Sequence, residues 1–235
     1  MDNISILIPT YNRHKFLELC IDNLKNQSYN KHLLEVVILD DGDEPFIYDL
    51  NKFKNDVYPI EVNYIKEHIK RTIGNKRNKL VKLAKYKIVS FMDDDDIYSD
   101  DCIKYLHNQL KINNAGLVGS NEMIFVFPLD NWKITMIQTP EKKMIHEATI
   151  MMTKKYFNTT NKFNKFNNQG EGSTLINNDD KRVICVDCVY IMICVAHTTN
   201  TVNKRRFNFT NEDNIRYYEQ QDKKKEILSK IFKKH

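Results

Sequence analysis

Short apolar runs alternate with stretches of helical period through the first half of the chain. Residues 4–8 (Ile-Ser-Ile-Leu-Ile), 33–39, 60–65 and 87–92 are bounded and β-rich, and they read as strands. Between the first two, Phe16, Leu17, Cys20, Ile21 and Leu24 recur at helical spacing, which predicts a helix over 14–26. Pro45 suits a first helical turn and opens a second helix to about residue 54. Residues 72–85 form a third helix, and 99–112 a fourth with Ser99 as its cap. The strand–helix rhythm, with near-continuous apolar strands, predicts an α/β fold around a parallel sheet covered on both faces.

After residue 114 the rhythm changes. Residues 116–127 and 132–138 read as two strands joined around Pro128-Leu129-Asp130-Asn131, and 148–152 as a short one. The polar stretch 157–169, punctuated by Phe157, Phe163 and Phe166, reads as a loop. Gly170-Glu171-Gly172 precedes a short turn or helix to Ile176. Asp179-Asp180 makes a turn, 183–196 makes one or two buried strands, and His197 ends that segment. Residues 211–235 read as an amphipathic helix with Ile215, Ile227, Ile231 and Phe232 on its apolar positions.

Three predicted strand ends carry distinctive chemistry. They are Pro9-Thr10-Tyr11, Asp40-Asp41-Gly42 and the four carboxylates Asp93 to Asp96. Adjacent aspartates repel: two unit charges 4 Å apart interact by roughly 4 kcal/mol at an effective dielectric near 20. A divalent cation such as Mg²⁺ or Mn²⁺ would offset that cost. An Asp-rich turn capping the next helix is the other reading. In open α/β sheets ligands bind outside the carboxyl ends of the strands. Two acidic strand ends facing one crevice therefore favour a functional site over a pair of caps.

The third helix adds positive charge. At 100° per residue, Ile73, Arg77, Leu80, Val81 and Ala84 share one stripe, with Lys76, Lys79 and Lys82 elsewhere on a solvated face. Arg77 thus points inward and needs an anionic partner, either a ligand phosphate or one of the aspartates. Spacing does not choose between them.

Composition narrows the class. The 235 residues carry a formal charge of +5, which suits an anionic ligand such as a nucleotide diphosphate without implying nucleic acid. Six glycines and five prolines argue against low-complexity linkers, so one domain is expected. Five cysteines, an odd number without framework spacing, point to a reducing, cytoplasmic compartment. Cys185 and Cys188 form a C-x-x-C in a strand-like run, where they would face opposite ways and pack as core residues rather than chelate. The amino terminus lacks a signal-peptide pattern, and the run 183–196, interrupted by Asp187, is shorter than a spanning helix needs. A soluble protein is expected.

Four blocks, 4–13 (Ile-Ser-Ile-Leu-Ile-Pro-Thr-Tyr-Asn-Arg), 34–42 (Leu-Glu-Val-Val-Ile-Leu-Asp-Asp-Gly), 74–78 (Gly-Asn-Lys-Arg-Asn) and 91–98, together resemble the GT-A glycosyltransferases of family 2. They cover about the first 110 residues in the family's order. The four-aspartate run is most similar to small members from giant viruses and bacteria. The resemblance implies a Rossmann-like, three-layer GT-A domain with a mostly parallel central sheet. Residues 1–115 would bind a nucleotide-sugar donor, with a UDP-sugar favoured. Residues 116–205 would bind a glycan or protein acceptor, and 206–235 would form a helical tail. It also implies Mn²⁺ or Mg²⁺ as cofactor and single displacement with inversion.

By the family pattern Pro9 and Tyr11 line the base pocket, with Arg13 closing the same block. Asp41 meets the base edge and Arg77 faces the nucleotide. Asp93 to Asp95 overlay the Asp-x-Asp motif, with Asp95 the best metal ligand and Asp93 or Asp94 on ribose or metal. Glu171 in Gln169-Gly170-Glu171-Gly172 is the first choice for the catalytic base, although Gly172 stands where the family has Asp. Glu147 is the second choice; an exposed glutamate is the plain alternative for either. His197 is a candidate third metal ligand, or simply a hydrogen-bonded strand-end histidine. A nucleotidyltransferase would show a Gly-rich basic loop after the first strand, unlike Pro9-Thr10-Tyr11-Asn12-Arg13. A degenerate member serving as a binding or scaffold module is the non-enzymatic alternative, kept open by Gly172.

Overall fold

The computed structural model describes residues 1–178, 180–209 and 222–232. The chain opens with β1 (Ile4–Thr10), a 3₁₀ turn at His14–Phe16, α1 (Leu17–Lys25) and β2 (Leu34–Asp40). It continues through α2 (Leu50–Asp56), β3 (Glu61–Lys66), α3 (Ile73–Leu83) and β4 (Ile88–Phe91). A two-residue strand β5 (Ile97–Tyr98) and α4 (Cys102–Ile112) close the first half. The second half holds β6 (Leu117–Gly119), β7 (Glu122–Phe127), β8 (Lys133–Gln138), β9 (Met151–Thr153) and α5 (Lys154–Thr159). Then follow β10 (Val183–Cys185), β11 (Met192–Val195) and α6 (Asp222–Phe232).

The main sheet has seven strands in the order β10-β6-β9-β4-β1-β2-β3. Every pairing in it is parallel except those of β9, which runs antiparallel to both β4 and β6. All seven residues of β1 and of β2 are buried, as expected for strands covered on both faces. From β1 the chain steps outward to β2 and β3, then returns to place β4 on the other side of β1. That reversal opens a crevice above the carboxyl ends of β1 and β4, the usual ligand position in such sheets. A second sheet, β5-β11-β7-β8, flanks it. The α6 side chains Ile227 and Leu228 are buried in one cluster with Phe16 and Leu19. Ile215 lies outside the described residues, as does Asp179 of the expected turn. Among the described residues, no helix is long and apolar enough to cross a membrane.

Several boundaries differ from the sequence reading. The second helix starts at Leu50 rather than Pro45. The Asp40 carboxylate accepts the N–H groups of Gly42 (2.9 Å) and Phe46 (2.7 Å) and the Tyr64 hydroxyl (2.6 Å), which pins 42–46 to the strand end. Asp49 then caps the helix by accepting the Lys52 N–H. The fourth helix starts at Cys102, and Ser99 Oγ instead accepts the Asp101 N–H ahead of it. The predicted single strand 116–127 breaks at Ser120, whose Oγ accepts the Glu122 N–H while its own N–H donates to Thr149 Oγ1. Such local bonds compete with the ladder, and the two halves join different sheets. A 3₁₀ turn at Glu147–Thr149 takes the start of the expected 148–152 strand, and α5 takes the start of the expected 157–169 loop. Residues 183–196 form two strands in different sheets, separated by a 3₁₀ turn at Cys188–Tyr190. Cys185 and Cys188 therefore do not share a strand; Cys188 is buried and Cys185 half-buried.

Candidate active site

A cavity of about 790 Å³ lies over the ends of β1 and β4. Pro9, Tyr11, Arg13, Arg77, Asp93 to Asp96, Glu147 and Glu171 all line it. Asn12, at φ 53°, turns the chain away from β1 and accepts the Asp43 N–H through its Oδ1. Gly42 makes this possible, since a Cβ there would sit 2.6 Å from the Asn12 nitrogen.

The four aspartates have separate environments. Asp93, the most open, receives Arg77 Nη2 at 3.0 Å, and its N–H donates to the Tyr98 hydroxyl at 2.8 Å. Asp94 is buried with Oδ2 unpartnered; burial, then the Asp95 charge, push its carboxyl well above the usual range. Asp95 Oδ2 meets His197 Nε2 at 2.9 Å and Arg13 Nε at 3.2 Å. Burial disfavours its ionisation, but the His197 hydrogen bond and the Arg13 and Lys204 cations prevail and hold it at about 2. Asp96 is buried, pushed up by burial and the Asp95 charge, and its Oδ1 accepts the Val195 N–H. Asp96 thus fastens β11 to the acidic turn.

Arg77 is 3% exposed. Its Nε donates to Glu171 Oε1 at 2.9 Å and its Nη2 to Asp93, while Nη1 is buried without a partner. The question left by spacing is thereby answered: the guanidinium is paired with Asp93 and also with a carboxylate from the other half of the chain. Glu171 is 3% exposed, not a surface glutamate. Half-buried Glu147 accepts the Gly172 N–H at 2.8 Å through Oε1. Burial, then the Glu171 charge, push its carboxyl up to about 7 against the pull of Arg77.

Lys76 corrects the expected solvated lysine face. It is 4% exposed, ion-paired to Asp41, and donates to the Thr10 carbonyl at 2.7 Å. Burial lowers its proton affinity and Asp41 opposes that. The other Asp41 oxygen accepts the Arg71 N–H at 2.6 Å. Asp41 therefore stands behind Lys76 instead of lining the cavity. His197 likewise lies behind Asp95. Its Nδ1 accepts the Thr199 N–H at 3.3 Å and lies 3.0 Å from Thr199 Oγ1.

Sequence reasoning missed three side chains that line the cavity. Lys70 Nζ lies 3.9 Å from the Tyr11 ring centroid, a cation over an aromatic face. Half-buried Lys204 faces Cys194, Asp96 and Asp95, and these acidic groups raise its affinity for its proton. His146 has a buried, unpartnered Nε2, and burial pushes it down to about 4. Lys70 belongs to the basic 66–87 stretch, a weak signal; Lys204 and His146 carry no spacing pattern at all.

The mostly parallel sheet with an acidic turn and buried cations at its switch point matches the fold of solved GT-A transferases. The family model described as glycosyl transferase family 2 matches residues 5–179, and the chain belongs to that family. Two curated relatives are similar to it. A poly(ribitol-phosphate) beta-glucosyltransferase of Bacillus spizizenii is 31% identical over 120 residues, 48% of this chain and 18% of the relative. The poly(ribitol-phosphate) beta-N-acetylglucosaminyltransferase TarP of Staphylococcus aureus is 30% identical over 121 residues, 50% of this chain and 36% of the relative. The matched part is thus well under half of either relative. Among solved structures, residues 1–349 of S. aureus TarS in complex with UDP-GlcNAc give a TM-score of 0.66 at 15% identity, covering 97% of this chain and 65% of that one. The mannosyltransferase PcManGT of Pyrobaculum calidifontis, in complex with GDP-Man and Mn²⁺, gives 0.61 at 19%, covering 87% and 58%. These likenesses show the fold.

Proposed function

We propose that the chain transfers a sugar from a nucleotide-diphosphate sugar, with a UDP-sugar favoured, to a hydroxyl of a glycan or protein acceptor, inverting the anomeric centre. The observation that carries this reading is the pairing of Asp95 Oδ2, in the lining of a cation-rimmed cavity, with His197 Nε2, buried 2.9 Å behind it. A carboxylate oxygen and an imidazole nitrogen are donors that a divalent ion such as Mn²⁺ accepts, so the chemistry of this pair would suit one. Thr199 Oγ1 is placed to accept the Nδ1 proton when Nε2 is a ligand. Among the described residues no group of three or more His, Cys, Asp or Glu side chains forms a complete metal site. Ions that take one or two protein ligands complete their shell with substrate phosphates and water. Asp95 and His197 would hold the metal, with Asp93 beside them. When bound, the ion would stabilise the charge developing on the departing diphosphate.

The chain's own residues fill the remaining roles. Pro9 and Tyr11 form the wall for the base, and Asp41 sets the position of Lys76 beneath it. Arg13 and Lys204 add positive charge near the phosphates, and Arg77 links Asp93 to Glu171. Residues 1–115 supply the donor half, 116–205 the acceptor half, and 206–235 the tail. The five free thiols suit a reducing compartment. TarS, named in complex with UDP-GlcNAc, supports the choice of a UDP-sugar. A screen of UDP- and GDP-sugars for nucleotide release with Mn²⁺ tests the function. Release from at least one UDP-sugar is expected; no release from any of them, with or without candidate glycan acceptors, contradicts it.

A further inference from the structure

Two glutamates, Glu147 and Glu171, line the cavity, and they are not equivalent. Glu171 is buried and its Oε1 is committed to Arg77 Nε at 2.9 Å. Accepting a proton would break this buried ion pair and leave the guanidinium with Asp93 alone, which is costly. Glu147 is half-buried at a 3₁₀ turn that lines the cavity. Its Oε1 is fixed by the Gly172 N–H at 2.8 Å. That N–H engages Oε1 and not Oε2.

Position 172 explains this arrangement. A Cβ built on Gly172 would lie 2.9 Å from Glu147 Oε1 and 3.0 Å from its Cγ. The space that a side chain at 172 would occupy is already filled by the carboxylate of Glu147. Gly172 also has a neighbour in the left-handed region, Gly170 at φ 61°, but its own bareness is required by contact rather than by backbone angle.

Resting on the transferase reading above, we infer that Glu147 is the general base, and that it delivers its carboxylate from a separate element to the place where residue 172 would otherwise present one. Glu147 Oε2 takes the proton of the acceptor hydroxyl. The acceptor oxygen forms its bond to the anomeric carbon, the bond from that carbon to the diphosphate oxygen breaks, and the electron pair leaves with the nucleoside diphosphate. Glu147 then returns the proton to solvent. Glu171 and Arg77 are the charged groups packed against it, and they act as positioning residues. The elevated proton affinity of Glu147 suits this task, since a base works best with a pKa near the operating pH. The order of preference drawn from the sequence, Glu171 before Glu147, is thereby reversed.

The test moves the carboxylate. Glu147→Gln, Glu147→Ala, Gly172→Asp and the double variant Glu147→Ala/Gly172→Asp are compared by UDP titration with Mn²⁺ and by nucleotide release from the sugar nucleotide that the donor screen selects. Glu147→Gln keeps an acceptor for the Gly172 N–H, so it should bind UDP like the wild type and lose about 10²–10⁴-fold in kcat. Gly172→Asp alone should be impaired by crowding against Glu147. The double variant should turn over at least tenfold faster than Glu147→Ala. Its rising pH limb should lie below that of the wild type, because an aspartate there lacks the same burial. Turnover of Glu147→Gln within threefold of wild type, or a double variant no faster than Glu147→Ala, overturns the inference. Failure of the wild type to bind UDP would instead remove the donor reading on which it rests.

Discussion

The raised carboxyl of Glu147 has a consequence for stability that is independent of turnover. Its folded-state pKa is pushed up to about 7 from 4.5, by burial first and then by the Glu171 charge. Between these values the folded protein holds a proton that the unfolded chain has released, so stability falls as pH rises through that window. Each unit corresponds to 1.36 kcal/mol, and sharing between the two carboxylates reduces the sum, so the cost above pH 7 is roughly 2–3 kcal/mol. Glu147→Gln never ionises and should escape it. Asp94 and Asp96, also raised by burial and by Asp95, impose the same trend on both proteins and cancel in the difference. In urea, with m near 2–3 kcal/mol/M for a domain of this size, the variant's midpoint at pH 8 should exceed the wild type's by about 1 M. At pH 4.5 the two should nearly coincide. A variant less stable than wild type at pH 8, or a gap of equal size at both pH values, would refute the reasoning.

Three further perturbations test the site's construction. Lys76→Met leaves Asp41 as a buried carboxylate without its cation, and should lower stability by about 3–5 kcal/mol in urea denaturation. Gly74→Ala places a Cβ 1.9 Å from the Asn164 carbonyl oxygen, so the start of α3 must shift from the 164–168 loop; a loss of about 1–3 kcal/mol is expected from thermal melts. Tyr98→Phe removes the hydroxyl that accepts the Asp93 N–H and donates to the Ala148 carbonyl at 3.1 Å. Stranding those two groups should cost about 1–3 kcal/mol, and nucleotide release should fall because this hydroxyl ties the acidic turn to the Glu147 turn.

The first half was legible because β1, β2 and β4 are fully buried apolar runs, and the helical stretches between strands keep their own period. Arg77 was recognised as inward from its stripe alone. Lys76 was not: it flanks the stripe beside Ile73 and Leu80, and its burial as a charged group depends on Asp41, which follows β2. The second half was read less well for a physical reason. Its strands β6, β9 and β10 have three residues each, too short for a period of two to show. The division of 116–127 between two sheets depends on a hydroxyl from Thr149, remote in sequence. The relation between Glu147 and Gly172 is a contact across 25 residues and has no local signature.

The central claim is a metal-dependent nucleotide site on Asp95 and His197. Isothermal titration of UDP into wild type and Asp95→Ala, each with and without Mn²⁺, tests it most directly. UDP should bind the wild type only weakly without the ion and at least tenfold more tightly with it, and Asp95→Ala should lose that gain while still unfolding cooperatively. Binding of UDP that is indifferent to Mn²⁺, or unchanged by Asp95→Ala, would contradict the account.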